Sequence, residues 1–162
     1  MRGSGLKLTM FADADYAAAS NDRRPVSGVA VMLGDTVIDW KSSTQKLVTT
    51  ATCEAEYVAI CDASKEALFT RAVLVFLQPD LTGMRVDVFG DNEGAKAIAN
   101  KPSSVYRSKQ INGKLHFIRR LVRAGEVRVL HVGTTEQHAD VLTKPLWRNK
   151  FMLHRATLMN LS

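Results

Sequence analysis

The sequence predicts an α/β fold: a five-stranded mixed sheet, three antiparallel strands followed by βα units, with helices packed on it. Three observations carry this. The segment from Leu6 to Trp40 holds three short apolar or alternating runs separated by turn residues. Beyond it, stretches with apolar residues three and four apart alternate with short apolar runs. At 162 residues, 46% hydrophobic and 23% charged, the chain has the size and balance of one globular domain with its own core.

The elements follow in order. Met1–Gly5 reads as an expression scar, which leaves 6–162 as a single domain. Leu6 to Asp13 alternates, with Leu6, Leu8, Met10 and Ala12 on one face, and ends at an acid. Ser20–Pro25 reads as a loop, Gly28–Leu33 as a strand, Gly34-Asp35 as a turn and Thr36–Trp40 as a third strand, the last two strands forming a hairpin. Ala51–Leu77 reads as a long helix whose stripe runs through Tyr57, Ile60, Cys61, Ser64, Ala67, Leu68, Arg71 and Leu74 until Pro79-Asp80 stops it. Met84–Gly90 is a short strand, followed by Asp91-Asn92 as the cap of a helix reaching Asn100, where Lys101-Pro102 breaks it. A basic helix covers Ser108–Ala124, Gly125 ends it, and Val127–Val132 forms the fifth strand. Gly133–Thr135 is a loop, a helix starts near Glu136, and another covers Trp147–Leu161. Trp40 and Tyr57 read as core residues.

No apolar run approaches the ~20 residues of a membrane span, so no membrane partner is expected. Cys53 and Cys61 lie eight residues apart on one helix, too far to bridge each other, and read as reduced thiols of an intracellular protein. The four histidines form no tight pair, which disfavours a structural zinc site, and no GxGxxG or GKS/GKT motif points to a nucleotide enzyme. The net charge is +6, and its distribution is uneven. Arg107 to Arg128 holds seven basic residues against one acid, Glu126, and no acid follows Asp140. That imbalance suggests a polyanionic partner.

Acids at the ends of apolar strands carry the chemistry. Asp13 ends the first strand and Asp91 the fourth, where open α/β sheets place their ligand crevice. Glu54 begins the long helix and Asp140 a C-terminal one. Gathered carboxylates repel one another unless a divalent cation neutralises them. All-oxygen donor sets suit Mg²⁺ or Mn²⁺, and two such ions about 3.5–4 Å apart can clamp a phosphodiester displacement. Asp91 alone also fits a helix cap, and Glu54 and Asp140 a complement to a helix dipole, and spacing does not bring the four together.

Seven segments carry a resemblance. They are Phe11-Ala-Asp-Ala-Asp-Tyr-Ala17, Asp22-Arg-Arg-Pro-Val-Ser-Gly28, Ile38-Asp-Trp-Lys-Ser-Ser-Thr-Gln-Lys46, Glu54-Ala-Glu-Tyr-Val-Ala59, Asp91-Asn92, His116-Phe-Ile-Arg119 and Gln137-His-Ala-Asp-Val-Leu-Thr-Lys-Pro-Leu146. In this order, from about residue 10 to 152, the chain resembles the ribonuclease H domain of copia-type LTR retrotransposon polyproteins. It departs from that pattern at Cys53, where the family usually has Thr, and at Lys109-Gln-Ile-Asn112, where the family usually reads Lys-His-Ile-Asp.

The resemblance implies a ribonuclease H-like fold and hydrolysis of the RNA strand of an RNA–DNA hybrid with two Mg²⁺, Mn²⁺ able to substitute. Products would carry 5′-phosphate and 3′-hydroxyl ends. It implies Asp13, Glu54, Asp91 and Asp140 as the catalytic and metal-binding acids. It also implies a reverse transcriptase domain of the same polyprotein as the native partner, and a cytoplasmic virus-like particle or the nucleus as the place of work. The alternative reading is a hybrid-binding module without catalysis, and a second rival is an integrase on the same fold.

Residue types extend this to the substrate. Arg107, Lys109 and Lys114, with Arg119, Arg120 and Arg123 beyond them, are candidates to track phosphates, although Arg119 and Arg123 also fit a solvated outer face. Asn92 and Gln137 are candidates to read 2′-hydroxyls. His138 is a candidate for the flexible-loop histidine of cellular ribonucleases H, against a plain exposed histidine. Glu54 and Glu56 sit about 200° apart on the helix, so only one faces the site. Periodicity favours Glu54 slightly, through its stripe with Tyr57, Cys61 and Leu68, and so does the resemblance.

Overall fold

The structure is a computed structural model that describes residues 6–16, 24–47, 49, 51–93 and 109–161. Met1–Gly5, most of the loop expected at Ser20–Pro25, the helix expected to reach Asn100, the break at Lys101-Pro102 and Arg107 lie outside the described residues. Five strands form one sheet in the order β3-β2-β1-β4-β5. They are β1 (Leu8–Asp15), β2 (Val26–Leu33), β3 (Thr36–Thr44), β4 (Val86–Gly90) and β5 (Val127–His131). The first three pair antiparallel, and β4 and β5 continue parallel to β1. The α-helices among the described residues are α1 (Thr52–Leu77), α2 (Lys109–Arg123) and α3 (Arg148–Leu158). This is the expected mixed sheet. No helix among the described residues is long and apolar enough to cross a membrane.

Period-two alternation sorts the sheet's two faces. Leu8, Met10, Ala12 and Ala14 of β1 join Val29 and Val31 of β2 in the larger core, covered by α1 and by Leu115, Ile118 and Leu121 of α2. Phe11, Ala30 and Met32 point the other way into a smaller core with Val132 and Ala139, closed by Leu142 and Leu158. Phe11 stacks on Phe89 across the parallel β1–β4 pair, with ring centroids 5.4 Å apart.

Three expectations are corrected. β1 does not end at Asp13: β2 begins at Val26, earlier than expected, so pairing runs on to Asp15 and Asp13 lies opposite Gly28. The helix expected from Glu136 is a short 3-10 segment, His138–Leu142, because the chain must turn back at once toward α3. Trp40 is no core residue: it sits on the edge strand with 68% of its surface exposed, whereas Tyr57 is buried as expected and donates its hydroxyl to Leu115 O.

Gly28 lets the 3-10 segment lie directly on the sheet. A Cβ there would stand 2.7 Å from Thr143 Cγ2 and 2.9 Å from both the Ala139 carbonyl oxygen and Leu142 Cβ. Backbone is among those atoms, so the segment itself must move to admit it. Gly28→Ala is therefore expected to destabilise the fold by about 1–3 kcal/mol, the usual range for overpacking. Urea denaturation measures this, and an unchanged midpoint would mean that the segment does not lie that close.

Candidate metal centre

The parallel register of β1 and β4 sets two acids side by side. Phe11 lies opposite Phe89, so two residues further along each chain Asp13 faces Asp91, just past the end of β4. The 3-10 segment resting on Gly28 delivers the third, Asp140. One carboxylate oxygen from each of Asp13, Asp91 and Asp140 lies within 4.8 Å of the others. Asp13 and Asp140 are buried and Asp91 is half-buried, so the cluster opens to solvent on the Asp91 side.

Of the two glutamates, Glu56 is the one whose electrostatics couple to this group. Glu56 is buried, accepts a hydrogen bond from Asn92 Nδ2 at 3.2 Å, and shares its electrostatics with Asp91 and Asp13. Glu54 is half-buried and points about 200° away around the helix. Helix periodicity misleads here because α1 is buried all round between Ala55 and Cys61. Next to Glu56, Gln45 ties the first turn of α1 to β2: its buried amide donates to Ala55 O at 2.7 Å and to Ser27 Oγ at 2.8 Å.

Burial raises the proton affinity of Asp13 and Glu56. Asp13 is pushed up to about 6, chiefly by burial; Thr143 and Lys144 oppose the shift, and Asp140 and Asp91 add to it. Glu56 is pushed up to about 7 by burial and then by Asp91, against the Asn92 hydrogen bond. Asp87 shows the contrary case. It is equally inaccessible, but Arg128 grips both its oxygens at 2.8 Å and Lys7 approaches to 2.9 Å, and these cations outweigh burial and hold it below the ordinary carboxylate range.

Cations and hydroxyls already crowd the cluster. Lys144 Nζ stands 3.1 Å from Asp140 Oδ1 and 3.5 Å from Asp13 Oδ2; burial works against this ammonium, but the two acids hold it above the ordinary lysine range. Thr143 donates its hydroxyl to Asp13 Oδ2, and Lys150 on α3 pairs with Asp140 Oδ2. Asp140 Oδ1 is buried and accepts no well-aligned hydrogen bond among the described residues, leaving the Lys144 ammonium as its counter-charge. Thr143, Lys144 and Lys150 were not singled out from sequence. The usable signal was the Thr143-Lys144 pair, three and four residues after an acid.

The expected substrate residues divide. Asn92 stands at the cluster through Glu56. Gln137 has no exposed surface: it donates to Ala12 O at 3.0 Å and accepts from Ala139 N, so it props the 3-10 segment and cannot reach a 2′-hydroxyl. His138 is neither a loop histidine nor an exposed one. It packs edge-on against Phe11 and sits 3.1 Å, Nδ1 to Nδ1, from buried His154.

Among the basic residues, Arg107 lies outside the described residues, and Lys109 opens α2 with its side chain outside them too. Lys114 is drawn to Asp62 at 3.0 Å, and Arg119 is buried rather than on a solvated face. The basic concavity that does form is a cleft of about 740 Å³ between the end of β3 and α1, lined by Lys41, Lys46, Lys65 and Lys114 with Asp62 and Glu66.

Comparison with known proteins decides the family. No protein-family model matches the chain. Over 150 residues, 93% of this chain, it is 39% identical to the retrovirus-related Pol polyprotein from transposon RE1 of Arabidopsis thaliana, and 38% identical over the same share to that from transposon RE2. The chain belongs to the copia-type retrotransposon Pol family. It spans about 10% of the length of these Pol relatives.

The fold of this Pol segment is that of ribonuclease H. The N-terminal RNase H domain of a Mycobacterium tuberculosis protein superposes with a TM-score of 0.61 at 16% identity, covering 85% of this chain and 91% of that one. LC11 ribonuclease H1, in a crystal structure with RNA/DNA hybrid, superposes at 0.58 and 17% identity, covering 85% and 94%.

The raised acids predict a pH dependence with a definite sign. Their folded pKa values of about 6 and about 7 exceed the ordinary 3.8 and 4.5, so their contribution to stability is full below the ordinary values and is lost as pH rises through 6 to 7. Burial depresses His138 and His154, which titrate with the opposite sign at acid pH, so a variant is needed to isolate the acid. In chelator, the wild-type Tm is expected to fall between pH 5 and pH 8 more steeply than that of Glu56→Gln. Parallel Tm–pH curves would mean that Glu56 does not titrate in the fold.

Proposed function

We propose that residues 6–162 form a metal-dependent endoribonuclease that cuts the RNA strand of RNA–DNA hybrids, in the setting of a polyprotein that also carries a reverse transcriptase. The observation that carries this reading is the convergence of Asp13, Asp91 and Asp140 within 4.8 Å. Membership of the Pol family and the ribonuclease H fold support it. The hybrid bound to LC11 ribonuclease H1 supports the choice of substrate.

The donor set fits Mg²⁺ or Mn²⁺: hard carboxylate oxygens, one of them buried without a well-aligned hydrogen bond, in a place where an ammonium already lies against two of the acids. Asp13, Asp91, Asp140 and Glu56 would hold the ions, with Glu56 taking the role first expected of Glu54. Divalent ions there supply an activated water nucleophile and charge stabilisation for the departing 3′ oxygen. The chain's own residues set the geometry. Thr143 turns the Asp13 carboxylate, Asn92 orients Glu56, and Gly28 and Gln137 keep the Asp140 segment pressed to the sheet.

Hydrolysis of hybrid RNA with Mg²⁺ is expected, with none in excess chelator. Glu56→Gln is expected to lower the initial rate by roughly 100-fold or more, the scale of losing one electrostatic stabiliser. Glu54→Gln is expected to keep most activity, and the opposite ranking at saturating Mg²⁺ would reverse the assignment. A chain that binds hybrid tightly and never cuts it would be a binding module instead.

The lysine-lined cleft is the proposed track for phosphates. Each phosphate contact contributes about 0.9 to the slope of log affinity against log salt. Replacing Lys41 and Lys46 together by Ala is expected to flatten that slope by about 1–2, measured by fluorescence anisotropy on a labelled hybrid. An unchanged slope would mean that the phosphates run elsewhere.

A further inference from the structure

Asp140 is held by two ammonium groups of different origin. Lys144, four residues further along the chain and just past the 3-10 segment, meets Oδ1 at 3.1 Å and also reaches Asp13. Lys150 meets Oδ2 and comes from α3, a separate element. α3 reaches the His138–Leu142 segment through two polar contacts among the described residues: this ion pair, and the contact between His154 Nδ1 and His138 Nδ1. Its other side leaves Phe151, Met152 and Leu153 exposed. Lys150 keeps 28% of its side chain open to solvent, so the ammonium has somewhere to go.

Two consequences follow from electrostatics. A buried carboxylate left without its counter-charge is strongly destabilising, so Lys150 helps the acid cluster to stay together. An ammonium on a carboxylate oxygen also competes with any other cation for that oxygen. We propose that Lys150 is a built-in counter-ion for the metal centre: it steadies Asp140 and must give way, loosening α3, when a divalent cation binds. This rests on reading the acids as a metal centre. Lys150 is thus a positioning residue with opposing effects, supporting the fold and weakening the affinity for metal.

A purely structural lysine would not produce that pairing of effects. The test uses the full chain and Mn²⁺ alone. Isothermal titration at pH 8 is expected to show Lys150→Met binding Mn²⁺ at least fivefold more tightly than wild type, with Lys150→Arg close to wild type. In chelator, Lys150→Met is expected to melt below wild type. Because that variant could fail to fold, hydrogen exchange on the wild-type chain gives an independent reading. Amides of α3 from Arg148 to Leu158 are expected to exchange faster when Mn²⁺ is added.

Unchanged or weaker Mn²⁺ affinity in Lys150→Met would overturn the inference, as would α3 exchange that Mn²⁺ leaves unchanged or slows. If Asp91→Asn still abolishes Mn²⁺ binding in either case, the metal centre stands and only the role of Lys150 falls. If wild type binds no Mn²⁺, both fall together.

Discussion

Burial of several carboxylates together at one end of the sheet, with their mutual repulsion added, is the constraint around which this molecule is organised. Asp13, Asp91 and Asp140 are brought within 4.8 Å, and Glu56 shares their field. Two of the four take up protons far more readily than ordinary acids, which is the cost of holding like charges out of water. The surroundings lessen that cost without removing it. Thr143 and Asn92 donate hydrogen bonds, and Lys144 and Lys150 bring positive charge. Asp87 marks the difference from an ordinary buried acid, since two cations satisfy it completely and its proton affinity falls. A cluster left partly unsatisfied is where a divalent cation has most to gain.

Elementary sheet geometry produces that cluster. Parallel pairing of β1 with β4 sets Asp13 and Asp91 level, and antiparallel pairing of β1 with β2 sets Gly28 beside Asp13. Because Gly28 has no side chain, a backbone turn can lie flat on β2 and carry Asp140 to the same place. α1, which follows β3 in the chain and precedes β4, approaches from the opposite face and brings in Glu56, its first turn tied to β2 by Gln45. Four separate stretches of chain meet, and none of them could form the site alone.

Much of this was legible in the sequence. Alternation in β1 and β2 and the apolar stripe of α1 indicated the mixed sheet, and Asp13, Asp91 and Asp140, singled out at expected element ends and by the resemblance, are the acids that lie together. The remainder depended on tertiary facts. Glu54 and Glu56 lie on a helix buried on all sides in its first turns, so periodicity could not choose between them. Gln137 looked like a polar reader of substrate but spends its hydrogen bonds on Ala12 and Ala139. Arg119 and Trp40 exchanged their expected places, because helix packing took the first inward and the sheet edge left the second outside. The approach of Lys150 to Asp140 was hidden for a related reason: the lysine lies ten residues away in sequence, and only the turn into α3 brings it back.

The central claim is that Asp13, Asp91, Asp140 and Glu56 together bind divalent ions. Anomalous diffraction from crystals grown in Mn²⁺ tests it most directly. An anomalous peak is expected about 2.0–2.3 Å from carboxylate oxygens of Asp13, Asp91 and Asp140, with Glu56 facing it and Glu54 turned away. A peak ligated by Glu54, or no peak among these acids at a Mn²⁺ concentration that supports cleavage, would contradict it.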